Sequence, residues 1–178
     1  GNPAELVPLP KRHEKAIIRL ELDEVARILD EAEKGENLSQ RQQKFHKLTQ
    51  KRDLAMLSLF LGTGIRVSEC VGLNIDDFDF SQNAFVVTRK GGAEVMLYLS
   101  EEVSQALQAY LAERLEIEAL PGHENAFFLS IQRRRITQRA VENLVKKYAA
   151  IAAPLKKKIS PHKLRSTYGT NLYRATQD

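Results

Sequence analysis

The chain has 178 residues, which suits one domain with a real core and is too short for two comfortable ones. Hydrophobic residues make up 43% and charged residues 28%, both near the globular average, which excludes a disordered or fibrous chain. The longest apolar stretch, Leu54 to Leu61, is far shorter than the roughly 20 residues of a membrane helix. We therefore expect a folded protein without a membrane span.

The cysteine content and the charge distribution narrow the function classes further. Cys70 is the only cysteine, and no Cys and His cluster has zinc-ligand spacing, so we expect a cytoplasmic location and no metal. The net charge is only +4, but residues 131–178 carry twelve lysines and arginines against two acids. A basic C-terminal third favours contact with nucleic acid phosphates, and a solvated face is the alternative.

The N-terminal half is predicted to be helical after a short linker. Prolines at positions 3, 8 and 10 indicate an extended linker over residues 1–12. Apolar residues at helical spacing predict a helix over Glu21–Lys34 that ends at Gly35. The polar run Glu36–Arg52 is predicted to be a loop, and it leads into a buried central helix over Leu54–Leu61 that two nearby glycines stop.

The rest of the chain is predicted to add a hairpin and four further helices. A short helix is predicted over Ile65–Leu73, and period-two alternation on both sides of Lys90 predicts a β-hairpin. Longer helices are predicted over Glu101–Ala119 and Thr137–Ala152, the second with one apolar and one basic side, and Pro161 begins a last helix. The expected fold is mainly α with a small antiparallel sheet.

Four side chains form a set that suits phosphate chemistry. Arg66 begins the short helix, and Lys90 lies in the hairpin turn. His162 and Arg165 are three residues apart and share one face of the last helix. Guanidinium forks can hold nonbridging oxygens, an ammonium can protonate a leaving oxygen, and an imidazole can hydrogen-bond. Each residue taken alone also fits an ordinary surface position.

Other charged positions surround this set. The acidic run from Asp76 to Asp79 is predicted to cap a turn rather than to bind a metal. A larger group of basic side chains is predicted to contact DNA, and it consists of Arg89, Arg133, Arg134, Arg135, Arg139, Lys146, Lys156, Lys157, Lys158 and Lys163.

Two strings of sequence resemble the catalytic domain of tyrosine recombinases, the phage-integrase family. The first is Leu61-Gly-Thr-Gly-Ile-Arg66-Val-Ser-Glu69, and the second is Ile159-Ser-Pro-His162-Lys-Leu-Arg165-Ser-Thr-Tyr168-Gly-Thr170. They lie about a hundred residues apart with a lysine-bearing hairpin between them, and the resemblance covers nearly the whole chain in order.

The resemblance implies a role for each candidate residue. Arg66 and Arg165 would be the two catalytic arginines, Lys90 the general acid and His162 the first histidine, while Glu69 would support Arg66. The full-length protein would cleave and rejoin DNA strands at specific sites through a covalent 3′-phosphotyrosine. Its partners would be double-stranded DNA and other recombinase protomers, and it would need neither cofactor nor metal.

The resemblance also sets expectations for the two ends of the chain. The family's nucleophilic tyrosine would lie beyond Asp178, because Tyr168 is better explained by core packing. We therefore expect residues 13–178 to be a partial catalytic domain that is inactive alone, with residues 1–12 as a linker from a missing N-terminal DNA-binding domain. The alternatives are a non-catalytic DNA-binding module and a structural or protein-interaction domain with a solvated basic face.

Overall fold

Helices dominate residues 22–152, the part of the chain that the computed structural model describes. The proline-rich segment 1–12 and the helix predicted from Pro161 lie outside the described residues. The elements in chain order are α1 (Leu22–Lys34), α2 (Gln40–Thr63), α3 (Val67–Val71), a 3₁₀ turn (Ile75–Asp77), β1 (Phe78–Asp79), β2 (Ala84–Thr88), β3 (Glu94–Tyr98), α4 (Glu101–Arg114) and α5 (Gln138–Ala152). This architecture confirms the predicted fold class.

The central helix α2 begins earlier than predicted, so the loop predicted over Glu36–Arg52 is wrong. Ser39 caps the helix, because its hydroxyl accepts from the Gln42 amide at 3.2 Å while the Gln42 side chain accepts from the Ser39 amide at 3.0 Å. This reciprocal pair satisfies two backbone donors that would otherwise be unpaired, and it fixes the start of the helix at Gln40.

The two halves of α2 bury different kinds of side chain. From its start to Asp53 the helix turns polar residues inward, namely His46, Thr49 and Asp53. The second half buries Ala55, Met56, Leu57, Leu59 and Phe60 in the core. Each large apolar side chain contributes about 1.5–3 kcal/mol by leaving water. Packing of α1 and α4 against α2, and of α5 against α1, completes the helical part of the core.

The small sheet confirms the predicted hairpin and adds one short strand. The strand order is β1-β2-β3 with antiparallel pairing, and Val86 lies opposite Met96 in the β2-β3 ladder. The inward face of the sheet joins a cluster of aromatic rings. Phe78 lies with its ring centroid 5.2 Å from that of Phe85 and 4.5 Å from that of Phe127. The hairpin is therefore anchored to the core at its base.

Helix α4 is shorter than the predicted Glu101–Ala119, since it ends at Arg114. The buried side chain of Arg114 donates to the carbonyl of Ala126 at 2.9 Å and to that of Glu124 at 2.8 Å. Those contacts require the following segment to fold back over the helix end instead of extending it.

Candidate active site

Arg66 is held at the turn between α2 and α3. Gly64 ends α2 in the left-handed conformation with a φ of 69°, and its amide donates to the Phe60 carbonyl at 3.0 Å. Ile65 then turns into the core with 1% of its surface exposed. Arg66 follows at the N-cap position of α3, with an exposed side chain. The Arg66 side chain therefore extends into solvent from a backbone position that the Gly64 cap and buried Ile65 hold in place.

Glu69 is buried beside this turn and contacts two segments of the chain. Its Oε1 accepts a hydrogen bond from the backbone amide of Arg66 at 2.8 Å. Its Oε2 lies 3.3 Å from Nε of Arg89, the residue that follows β2. The Arg66 turn and the hairpin therefore meet at one carboxylate.

Lys90 lies at the tip of the hairpin and is exposed. The Arg89 amide donates to the Ala93 carbonyl at 2.7 Å, and the Gly92 amide donates to the Arg89 carbonyl at 2.9 Å. Gly91 and Gly92 have φ values of 91° and 90°, a region that side chains other than hydrogen adopt only with strain. Glycine is thus required here by backbone conformation.

Two of the four predicted catalytic residues can be placed. Arg66 and Lys90 are 24 positions apart in the sequence and belong to turns that Glu69 connects. His162 and Arg165 lie outside the described residues, as do Lys156, Lys157, Lys158 and Lys163. The meeting of all four catalytic candidates stays a prediction.

Arg89 and Arg135 were predicted to contact DNA, but both guanidinium groups are engaged within the fold. Arg89 faces Glu69. Arg135 is half-buried, and its Nη1 donates to the carbonyls of Val71 at 2.9 Å and Leu73 at 3.0 Å. Burial lowers the pKa of the Arg135 guanidinium. These contacts join the end of α3 to the segment before α5, so the geometry does not favour phosphate contact by either residue.

The other described basic candidates are exposed. Arg133 and Arg134 lie in the loop before α5, and Arg133 donates from Nη1 to the Glu118 carbonyl at 3.0 Å. Arg139 and Lys146 project from α5 into solvent. These four side chains have the exposure that phosphate contact needs.

The basic side of α5 contains one residue that is not free. The Nζ of Lys147 lies 3.6 Å from Oδ2 of buried Asp53 and 4.6 Å from the centroid of the Tyr148 ring. Tyr148 also donates to the same carboxylate at 2.8 Å. The amphipathic pattern puts Lys147 on the basic side of the helix, but the buried acid on α2 holds its ammonium group.

Sequence reasoning missed a basic face on the first half of α2. Arg41, Lys44, Lys47 and Lys51 are all exposed there. The available signal was a run from Gln40 to Arg52 that holds five cations and no acid.

A groove of about 520 Å³ lies next to this basic face. Lys47 and Leu48 of α2, Ile117 and the loop residues Ile131 and Arg133 contribute to its lining. None of the residues that line it is Arg66, Glu69 or Lys90. The groove is therefore separate from the candidate active site.

Metal binding finds no support in the described part of the chain. No group of three or more His, Cys, Asp or Glu side chains within residues 22–152 could hold a metal ion. The acids of the Asp76 to Asp79 run cap backbone amides as predicted, since Asp77 accepts from the Asn74 amide at 2.8 Å and Asp79 from the Ser81 amide at 3.1 Å. The hydrogen bond from Ser81 lowers the pKa of Asp79.

Within residues 22–152 there is no helix both long and apolar enough to span a membrane.

Comparison with known sequences gives a consistent group of relatives. Residues 19–178 match the phage integrase family. The chain is 40% identical to tyrosine recombinase XerC of Thermodesulfovibrio yellowstonii over 71% of its own length and 42% of that protein. It is 32% identical to XerC of Syntrophus aciditrophicus over 99% of its length and 54% of that protein. The chain thus spans about half the length of the curated relatives it matches.

Solved structures agree with the sequence relatives. The crystal structure of XerA recombinase superposes with a TM-score of 0.73 at 27% identity, over 90% of this chain and 52% of that one. The Tn1549 transposon integrase in complex with circular intermediate DNA gives a TM-score of 0.63 at 25% identity, over 90% and 53%. The XerH recombinase bound to its difH substrate shares the fold, with a TM-score of 0.70 at 21% identity, over 90% and 44%.

Proposed function

The chain belongs to the phage integrase family, and we propose that it forms much of the catalytic domain of a site-specific DNA recombinase. In the proposed reaction a tyrosine oxygen attacks a backbone phosphorus and the bond from phosphorus to the 5′ oxygen breaks. The product is a 3′-phosphotyrosine and a free 5′ hydroxyl. Because the covalent link conserves the bond energy, the reverse step rejoins strands without a nucleotide cofactor.

Each candidate residue has a defined task in this proposal. Arg66 and Arg165 hold the nonbridging oxygens and stabilise the charge of the pentacoordinate phosphorus. Lys90 Nζ gives its proton to the departing 5′ oxygen, and His162 donates a hydrogen bond to the phosphate. Glu69 holds the backbone of the Arg66 turn. Tyr110 and Tyr148 are buried, so neither is the nucleophile in this arrangement.

One observation carries the proposal within the described residues. The Glu69 carboxylate contacts both the Arg66 amide and the Arg89 side chain, and Lys90 is the next residue along the hairpin. Glu69 accepts from the N-cap amide of α3 as a helix-capping acid does, and its second oxygen faces Arg89, so one carboxylate lies beside both exposed turns. This arrangement supports a phosphate site between the turns, where one cation would hold the nonbridging oxygens and the other would protonate the departing 5′ oxygen.

We propose double-stranded DNA as the substrate. The exposed basic residues Arg133, Arg134, Arg139 and Lys146 would position the duplex through its phosphates, as would the basic residues after α5. Other protomers of the recombinase would assemble on the same DNA. The single, buried Cys70 thiol suits a reducing compartment, so we propose the cytoplasm.

A duplex titration at two salt concentrations tests substrate binding. Binding that neutralises about three phosphates should weaken about 40-fold between about 50 mM and about 200 mM salt. Arg66→Gln should lower the affinity and reduce the slope against log salt by about one, as expected for one lost phosphate contact. Binding that does not depend on salt would contradict the proposal, and so would an Arg66→Gln chain with unchanged affinity and slope.

A further inference from the structure

Arg89 occupies an unusual place for a residue at the end of a surface hairpin. Phe85 and Val87 on β2 are buried, and the period of two carries the same inward direction to Arg89. Its side chain is 35% exposed, whereas its neighbour Lys90 is open to solvent. The alternation therefore separates the two adjacent cations, with one directed into the fold and the other outward.

The contact between Arg89 and Glu69 isolates two charged atoms from water. Arg89 Nε and Glu69 Oε2 are both buried, and neither has a hydrogen-bond partner in the described part of the chain. They lie 3.3 Å apart, and the Glu69 side chain is 3% exposed. Glu69 is the buried charge of the pair, and a buried charge that loses its counter-ion is strongly destabilised, so the carboxylate depends on Arg89.

The turn that follows Arg89 has little else to hold it. A Cβ added at Gly91 or Gly92 would meet no atom within 4 Å, so the tip of the hairpin has open space around it. Within residues 22–152, the turn is closed by backbone hydrogen bonds between Arg89, Gly92 and Ala93. In that part of the chain, the contact of Arg89 with Glu69 is the side-chain anchor of the residue next to Lys90.

We propose that Arg89 is a positioning residue that fixes the Lys90 turn against the Arg66 turn through Glu69. This inference rests on the proposed function, in which Lys90 protonates the leaving oxygen. In this role Arg89 acts through Glu69 and the hairpin backbone rather than by contact with the reacting atoms. Its pairing with Glu69 fixes the position of the backbone just before Lys90. Glu69 in turn accepts a hydrogen bond from the Arg66 amide. One ion pair therefore sets the spacing between the general acid and the first arginine.

The hydrogen-exchange rate of the Gly92 amide measures how often the hairpin turn opens. Arg89→Met should raise its exchange rate by at least about tenfold, because the anchor is lost and the turn opens more often. The matched control Arg41→Met removes an exposed arginine from α2, far along the chain from both turns, and should leave the rate within about twofold.

The double variant Arg89→Met with Glu69→Gln separates positioning from simple charge neutralisation. Glutamine removes the uncompensated buried charge, so the melting temperature should return close to that of the unsubstituted chain. Gly92 exchange should nevertheless stay fast, since no ion pair holds the turn. Normal Gly92 exchange in the double variant, or in Arg89→Met alone, would overturn the proposal.

Acetylation of Lys90 in the presence of a saturating duplex distinguishes this inference from the proposed function. DNA should protect Lys90 from acetic anhydride in the unsubstituted chain, and the protection should fall by at least about threefold in the double variant. If DNA gives no protection in the unsubstituted chain, the proposed role of Lys90 fails while the exchange result still stands. If protection is equal in both chains, Arg89 does not position Lys90.

Discussion

Asp53 shows at the scale of single residues how this fold buries a charge. Its side chain is fully buried, and Oδ1 accepts from Nε of Arg52 at 3.1 Å and from Nη2 at 3.0 Å. The Tyr148 hydroxyl donates to Oδ2 at 2.8 Å, and Lys147 lies close by. Arg52 also donates to the Leu129 carbonyl at 3.1 Å. The cluster thus ties α2, α5 and the loop before α5 together.

Tyr148→Phe should weaken this cluster measurably. The substitution leaves a buried carboxylate with one donor fewer, so the free energy of unfolding should fall by about 1–3 kcal/mol. Urea unfolding measures the change. Tyr98→Phe is the matched control, because Tyr98 is 69% exposed and its substitution should change stability by less than about 0.5 kcal/mol. Equal effects of the two substitutions would contradict the role assigned to the cluster.

Stability should also decline at alkaline pH for a reason that involves Tyr148. Burial, and then the charge of Asp53, raises the pKa of Tyr148 above its ordinary value. The unfolded chain therefore releases the Tyr148 proton above about pH 10 while the folded chain keeps it, which favours unfolding as the pH rises. The stability difference between the unsubstituted chain and Tyr148→Phe should narrow above that pH. A constant difference in urea unfolding would be evidence against a raised pKa.

The sequence allowed several candidate site residues to be identified, but not the direction in which each side chain points. Arg66 and Lys90 follow from local signals, since one comes after a glycine-ended helix and the other stands in a glycine turn. The internal contacts of Arg135 could not be predicted, because its carbonyl partners, Val71 and Leu73, are more than sixty positions away. The inward direction of the Arg89 side chain could have been predicted, because the alternation of buried and exposed residues in β2 continues to it.

The hairpin provides a prediction at the scale of secondary structure elements. Gly92→Ala should destabilise the chain by about 1–3 kcal/mol, because alanine is strained at a φ of 90° even though the site has space for a Cβ. Gly72→Ala is the matched control, since Gly72 has a φ of −81° and its added Cβ would make contacts of 3.4 Å or more. Thermal melts compare the two variants. A larger loss for Gly72→Ala would refute this explanation of the turn.

Element boundaries were predicted less well than element types. The helices, the hairpin and their order follow from apolar periodicity. The start of α2 was predicted too late, because its first turns bury His46, Thr49 and Asp53, which are not apolar. A pattern search for apolar residues cannot detect such a face. The capping signal of Ser39 and Gln42 was present in the sequence and identifies the true start.

For the molecule as a whole, the charge distribution supports the proposed double-stranded DNA substrate. The basic C-terminal third was visible in the sequence, and exposed cations in the described part of it surround the start of α5. The basic face of α2 was not anticipated, because the net negative charge of the first 130 residues concealed it. Which cations share a site depends on tertiary packing, and local sequence patterns do not encode that information.

An NMR titration tests most directly whether Arg66 and Lys90 bind the same phosphate of duplex DNA. The Arg66 Nε and Lys90 Nζ resonances should shift together as a short duplex is added and give the same dissociation constant. Arg66→Ala should then abolish the shift of Lys90 at the same duplex concentration, because the phosphate is no longer held beside it. A Lys90 shift that persists unchanged in Arg66→Ala, or two different dissociation constants, would contradict the account.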